Sequence, residues 1–151
     1  MKAPGVPRAT GIVLAILGAS AVGLGAFGAH ALRGSLPPLQ MDIWHTAVEY
    51  HFWHTLAFGL AATIIPRART ARWAAWLFAF GVLLFCGSLY ALALGALPCE
   101  QCGQDVHFLI LAFRTNAKII GAITPFGGIC FILGWIALGI ALVRRGIFGA
   151  D

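Results

Sequence analysis

Two cysteines and a histidine in the second half of the chain could do thiol or metal chemistry. Cys99 and Cys102 form a CxxC motif, and His107 follows five residues after the second cysteine. Three interpretations remain open. The thiols form a structural disulfide, as an oxidising compartment allows, or a redox-active pair. Alternatively, they bind zinc or copper with His107 as a third ligand.

A second set of polar side chains lies between residues 42 and 54. Asp42, His45 and Glu49 are spaced i, i+3 and i+7, which stacks them on one face of a helix. Three further residues fall on a different arc, and one more lies at the end of the preceding apolar stretch. We define the polar seam as His30, Asp42, His45, Glu49, Tyr50, His51 and His54.

The polar seam is open to three hypotheses. It is a hydrogen-bonded network that holds helices together, a set of ligands for haem, zinc or copper, or a group that handles protons or a substrate. Ionisable groups inside a membrane cost about 2.5–3.5 kcal/mol each on insertion scales, so they count as functional candidates.

Four long apolar stretches must position these groups: Thr10–Ala31, Asp42–Ile65, Arg72–Leu97 and Ile119–Val143. Each is long enough to cross a hydrocarbon layer of about 30 Å as a helix. Hydrophobic residues make up 60% of the chain and charged residues 10%, which leaves too little polar surface for a soluble domain. We therefore predict an all-α integral membrane bundle of four transmembrane helices, forming one domain over residues 1–151.

The basic residues predict the orientation of this bundle. Only three basic residues lie in the loops after the first and third spans: Arg33, Arg114 and Lys118. Seven basic residues lie on the other side: Lys2, Arg8, Arg67, Arg69, Arg72, Arg144 and Arg145. The positive-inside rule then places both termini in the cytoplasm, and the polar seam and the CxxC motif lie toward the outer side. The first stretch exceeds the apolar core of about 7–15 residues that a cleaved signal peptide has.

Local patterns predict how the spans are built. Asp42 suits an N-cap after the loop that contains Pro37 and Pro38. Trp44, Trp73 and Trp76 lie near span ends and are typical of interfacial anchors. Small residues at every fourth position let helices approach closely. In the first span they form two rows: Gly11, Ala15, Ala19 and Gly23, then Ala21, Gly25 and Ala29.

The outer loop and the fourth span carry further predictions. The apolar patch Val106–Phe113 in the loop of residues 98–118 is too short to span, because a helix rises about 1.5 Å per residue. We expect a turn or short helix lying on the outer leaflet. Pro125 is expected to kink the fourth span or to open its hydrogen bonds. Cys86 and Cys130 are buried free thiols by default.

Several motifs occur in a distinctive order along all four spans. They are GAFGAHAL (Gly25–Leu32), TAVEY (Thr46–Tyr50), HTLA (His54–Ala57), GSLY (Gly87–Tyr90), TPFGG (Thr124–Gly128) and Gly134 with Trp135. Together they resemble the small membrane family catalogued as domain of unknown function 423. The resemblance implies a four-helix integral membrane protein, located in the inner membrane of bacteria, and it brings no established activity.

The resemblance also separates family positions from particular ones. His30, Glu49, Tyr50 and His54 match motif positions, whereas the remaining histidines do not. Residues 98–116, including the CxxC motif, look like an insertion relative to the family, and Cys86 stands where a serine is usual. Thiol or cysteine–metal chemistry would therefore be particular to this branch.

These observations favour a non-enzymatic membrane protein, a structural or accessory component with a metal site on its outer face. No nucleophile with its base, no phosphate loop and no nucleotide motif is visible. One alternative is a quinone-coupled thiol oxidoreductase using Cys99 and Cys102, and another is haem or copper binding by the histidines of the second span. The expected partners are the lipid bilayer and either a larger membrane complex or further copies of the chain. A nucleic-acid partner is not indicated, because basic residues do not form a stripe with aromatics.

Overall fold

The computed structural model describes residues 5–66, 68–95 and 104–148, and for residues 104–109 and 145–148 it describes the backbone alone. Regular structure in these residues is entirely helical. The helices are α1 (Arg8–Leu32), α2 (Pro38–Ile64), α3 (Arg69–Leu94), α4 (Gln104–Thr115) and α5 (Ala117–Phe148). Single π-helical turns interrupt α1 at Gly28–Leu32 and α3 at Val82–Cys86.

Helix α2 begins earlier than the sequence suggested. Its first residue is Pro38, with Pro37 as the preceding extended residue. Proline is well suited to the first helical position, because its fixed φ matches the helix and its missing N–H has no partner there anyway. The prediction that Asp42 is the N-cap is therefore wrong. Asp42 lies in the second turn, where its carbonyl accepts a bond from the Thr46 hydroxyl at 2.9 Å.

Three of the described helices are long and apolar enough to cross a membrane. They are Arg8–Leu32, Arg69–Leu94 and the Ala117–Arg144 part of α5. Helix α2 has 27 residues, a length of about 40 Å at 1.5 Å per residue. Its polar side chains keep it out of this set.

The most polar of the long helices packs against three other helices. Helix α2 packs against α1, α3 and α5, and α3 packs along α5. Ten residues of α2 are buried: Trp44, Ala47, His51, His54, Thr55, Ala57, Phe58, Ala61, Ala62 and Ile64. Neighbouring helices can satisfy polar groups that lipid cannot, which explains why His51 and His54 lie on the buried face of this helix.

Glycines set the close packing of α3 on α5. A Cβ at Gly134 would lie 2.8 Å from Cε1 of Phe78, and one at Gly127 would lie 2.7 Å from Cβ of Phe85. In the opposite sense, Gly81 of α3 leaves room for the ring of Phe131 on α5. At each of these three contacts between the antiparallel helices, a glycine of one helix therefore faces a phenylalanine of the other.

The two rows of small residues in α1 differ in how they pack. Gly11, Ala15, Ala19 and Gly23 are all exposed, and Gly11 and Gly23 meet nothing that a Cβ would touch. Close packing of that row against another described helix, as the spacing predicted, is not found. In the second row, Ala21 is buried, and a Cβ on Gly25 would lie 3.4 Å from Cγ1 of Val48 on α2.

The tryptophans also divide. The prediction that Trp44 is an interfacial anchor is wrong, since this side chain is 1% exposed and belongs to the core. Trp73 is 70% exposed, and Trp76 is exposed as well, as anchors at a helix end require. The sequence placed all three near span ends, but only the packing of α1 on α2 determines which one is enclosed.

Two further predictions concern α4 and α5. A helix of 12 residues, α4, does occupy the apolar patch of the outer loop, and Ile110 within it is buried. Helix α5 continues through Pro125 as a single element. The thiols of Cys86 and Cys130 are free, the first buried and the second half-buried.

Candidate functional site in the middle of helix α2

His51 joins three helices through a directional chain of hydrogen bonds. The Ser20 hydroxyl on α1 donates to the carbonyl of Leu17 at 3.1 Å, which leaves its oxygen to accept from Nε2–H of His51 at 3.4 Å. The other ring nitrogen, Nδ1, then accepts from the Tyr90 hydroxyl on α3 at 3.3 Å. One neutral imidazole tautomer satisfies every member of the chain.

Trp44 and Gly28 hold the tyrosine end of this chain in place. The Trp44 indole N–H donates to the carbonyl of Leu24 at 3.1 Å, and its ring lies 4.7 Å from that of Tyr90. A Cβ at Gly28 would collide with the indole. The glycine at the start of the π-helical turn of α1 therefore lets α2 approach closely enough for Trp44 to position Tyr90.

His54 uses both ring nitrogens on a different side of α2. Its Nδ1–H donates to the carbonyl of Tyr50 at 2.7 Å, and its Nε2 accepts from the Trp135 indole N–H of α5 at 3.4 Å. The ring also stacks on Phe131, with centroids 3.5 Å apart. A metal-bound imidazole needs a free lone pair, and here Trp135 occupies the lone pair of Nε2.

Among the remaining seam residues, only Tyr50 is hydrogen-bonded to either histidine, through its carbonyl to His54. His30, Asp42, His45 and Glu49 are exposed, and Tyr50 is partly exposed. Within the described residues, no three side chains of the His, Cys, Asp or Glu type gather as a metal site would require. The polar seam thus separates into an inward pair, His51 and His54, and an outward group of the other five residues.

Two openings flank the inward pair. On the α1 and α3 side, a cleft of about 220 Å³ is lined by Ser20, His51 and Tyr90 together with apolar side chains. On the α5 side, a wider groove of about 440 Å³ is lined by Glu49, Tyr50, Trp53, His54 and Trp135. We call this second opening the Glu49 groove.

A second hydroxyl pair links α3 to α5. Ser88 and Thr124 lie 2.7 Å apart through their hydroxyl oxygens, and Ser88 also donates to the carbonyl of Phe85. This hydroxyl pair adds a further contact to the antiparallel interface in which glycines of one helix face phenylalanines of the other.

The CxxC motif lies outside the described residues. His107 falls in the first turn of α4, whose backbone alone is described there. The disulfide, redox and metal interpretations of Cys99, Cys102 and His107 therefore stay predictions.

Sequence reasoning missed Ser20, Tyr90, Trp53 and Trp135 as members of these polar clusters. A signal was available for two of them. Tyr90 and Trp135 lie within long apolar stretches rather than at their ends, and a buried Tyr O–H or Trp N–H normally has a hydrogen-bond partner.

These features define the class of protein: an all-helical membrane protein in which the most polar of the long helices is hydrogen-bonded to its more apolar neighbours. More specifically, the profile of the family described as "Protein of unknown function (DUF423)" matches residues 24–128, and the chain belongs to this family.

Similar proteins are themselves named as membrane proteins. The chain is 38% identical to the UPF0382 membrane protein YwdK of Bacillus subtilis over 139 residues, covering 87% of this chain and 97% of that relative. It is 40% identical to a UPF0382 membrane protein of Staphylococcus epidermidis over 135 residues, covering 88% and 94%. No solved structure matches the chain.

Proposed function

We propose that this protein is a non-catalytic, structural or accessory component of the bacterial inner membrane, built on four spans with both termini in the cytoplasm. The observation that carries the proposal is the use of the inward histidines of α2. His51 and His54 direct their ring nitrogens to Ser20, Tyr90, Trp135 and a backbone carbonyl. Such bonds stabilise a helix bundle, and they engage all four ring nitrogens of the two imidazoles.

The proposed fourth span is α2 itself. Its length of 27 residues suffices for a span of about 20 residues, and its packing against the other three long helices supports the assignment. Hydropathy alone underrates a helix whose polar groups are satisfied by other helices rather than by lipid. The sidedness rests on the seven basic residues at the proposed cytoplasmic side.

Cysteine labelling tests both parts of this proposal. In a variant whose four native cysteines are replaced, single cysteines are placed by Gly5→Cys, Ser35→Cys, Arg69→Cys and Thr115→Cys in exposed positions. An impermeant maleimide added to intact cells should label the Ser35 and Thr115 positions. The Gly5 and Arg69 positions should react only after permeabilisation. Labelling of the Ser35 and Arg69 positions from the same side would overturn the fourth span.

A metal site in the outer loop is the finer part of the proposal. Cys99 and Cys102 precede α4 closely, and His107 falls in its first turn, so three side chains that suit zinc or copper lie within nine residues. Elemental analysis of the purified protein should find about one bound metal ion per chain, and Cys99→Ser should remove it. Cys130→Ser is the matched control, because that thiol lies within α5. A metal content equal in the wild type and Cys99→Ser would overturn the site.

The proposed partners are lipid and further copies of the chain or a larger membrane complex. The exposed Gly11, Ala15, Ala19 and Gly23 row supports such contacts, since small residues allow close helix approach in lipid. Crosslinking of Ala15→Cys in membranes tests this, with Val22→Cys on exposed α1 surface as the control. Equal crosslinking at the two positions would argue against a role for the row.

A further inference from the structure

The Glu49 groove combines a carboxylate with exposed aromatic rings at mid-bundle depth. Trp53 is 64% exposed and Trp135 is 50% exposed, while His54 is the buried member of the lining. Glu49 is the twelfth residue of α2, about 17 Å from the start of the helix at 1.5 Å per residue. Its neighbours Tyr50 and His54 contact Phe131, which lies near the middle of α5 and opposite Gly81 near the middle of α3.

No fixed cation of the described chain is available at this depth. Every described Lys and Arg lies between helices or at a helix end: Arg8, Arg33, Arg69, Arg72, Arg114, Lys118, Arg144 and Arg145. His54, the imidazole that lines the groove, is neutral in its hydrogen-bonded tautomer, because Nδ1 donates to Tyr50 and Nε2 accepts from Trp135. An intramembrane carboxylate needs a partner for its charge. No described Lys or Arg supplies that partner here, which leaves the position open to an exchangeable cation.

The lining of the groove specifies the chemistry of such a partner. The faces of tryptophan and tyrosine attract cations, and aromatic cages are how proteins recognise quaternary ammonium ligands. The volume of about 440 Å³ exceeds what an inorganic ion needs. A bulky cation with an apolar surface fits both the charge and the walls.

We propose that the Glu49 groove binds a lipophilic organic cation, of the quaternary ammonium or phosphonium type, that reaches it from the bilayer. Glu49 supplies the charge, and Trp53, Trp135 and Tyr50 supply the aromatic surfaces. His54 forms the buried base of the groove and fixes Trp135 through its hydrogen bond. This inference goes beyond the proposed structural role, and its test in detergent does not depend on the sidedness of the helices.

The test uses tetraphenylphosphonium as the probe and the full-length protein in detergent or nanodiscs. Equilibrium dialysis with the labelled cation should show saturable binding to the wild type. Tetraphenylborate, an anion of nearly the same shape, should not bind saturably. Glu49→Gln is expected to weaken cation binding by about tenfold or more, and Trp53→Leu should weaken it without disturbing packing, since Trp53 is exposed.

Matched controls keep the result decisive. Asp42→Asn removes another exposed carboxylate from the same helix, two turns away, and should leave binding unchanged. Glu49→Asp, which retains the charge, should bind better than Glu49→Gln and covers the case in which the glutamine variant fails to fold. The proposal is overturned if the wild type binds no tetraphenylphosphonium, if the borate binds equally well, or if Glu49→Gln binds like the wild type. Absence of binding together with self-crosslinking of Trp53→Cys would assign the groove to a second copy of the chain.

Discussion

Gly127 of α5 packs directly on the backbone of Phe85 in α3. A Cβ built on Gly127 would lie 2.8 Å from Cα and 2.7 Å from Cβ of Phe85, so only glycine permits this separation of the two helices. Phe85 lies in the π-helical turn of α3. The same antiparallel pairing brings Gly81 to Phe131 and Gly134 to Phe78. The contact of Gly127 with Phe85 is therefore one of three that set the distance between the two helices.

Gly127→Ala is expected to force α3 and α5 apart and to lower the free energy of unfolding by about 1–3 kcal/mol, the usual cost of overpacking. The measurement is thermal or denaturant unfolding of the purified protein in detergent. Gly121→Ala is the control, since a Cβ there meets no atom within 4 Å. Equal effects of the two substitutions would contradict the close approach.

Trp44→Phe should destabilise the bundle, whereas Trp73→Phe should not. The first removes the indole N–H that donates to the Leu24 carbonyl, and such bonds in membrane bundles contribute about 0.5–1 kcal/mol. The second changes a side chain that is 70% exposed. Unfolding curves of the two variants compare a buried and an exposed tryptophan directly, and a neutral Trp44→Phe would contradict the core position.

The His51 chain predicts coupling between α1 and α3 through α2. Ser20→Ala and Tyr90→Phe each remove one partner of the imidazole. Once either partner is missing, the ring can change tautomer or orientation, so the second substitution should cost less than it does alone. A double-mutant cycle is expected to give a coupling free energy of about 0.5 kcal/mol or more. Strict additivity of the two effects would indicate that the two bonds are independent.

Thr55→Val is expected to be neutral or stabilising. The Thr55 hydroxyl is buried and has no hydrogen-bond partner among the described residues, so the substitution removes an unsatisfied polar atom while keeping nearly the same shape. Ser88→Ala is the contrasting case, because Ser88 bonds Thr124 at 2.7 Å, and it should cost about 1 kcal/mol. A clear loss of stability in Thr55→Val, measured by unfolding, would point to a partner for the hydroxyl.

Part of the fold could be predicted from local pattern. The apolar stretches located the long helices to within a few residues at most ends, because length and hydropathy reflect the thickness of a membrane. The start of α2 was misplaced because Pro37 and Pro38 were taken as a loop that Asp42 ends. Proline breaks a helix when it lies within it and is favourable as the first residue of a helix. Choosing between the two roles requires knowing how the neighbouring segments of the chain pack.

The candidate site was less accessible to such reasoning. Sequence spacing grouped Asp42, His45 and Glu49 by helical geometry, but spacing does not say which arc of a helix meets a neighbour. His51 and His54 form the inward pair because Ser20, Tyr90 and Trp135 pack against them. These partners are far from α2 in the sequence, so spacing within α2 does not reveal them.

By itself, the sequence determined the class of this protein: its composition and long apolar stretches indicate helices in a lipid environment, and its motifs mark the family. Tertiary structure alone decided that Trp44 is enclosed while Trp73 is exposed, that Gly127 meets Phe85, and that Glu49 shares a groove with Trp53 and Trp135. The physical reason is that hydropathy and periodicity are properties of single helices. The relative rotation and register of two helices depend on contacts between residues far apart in the chain.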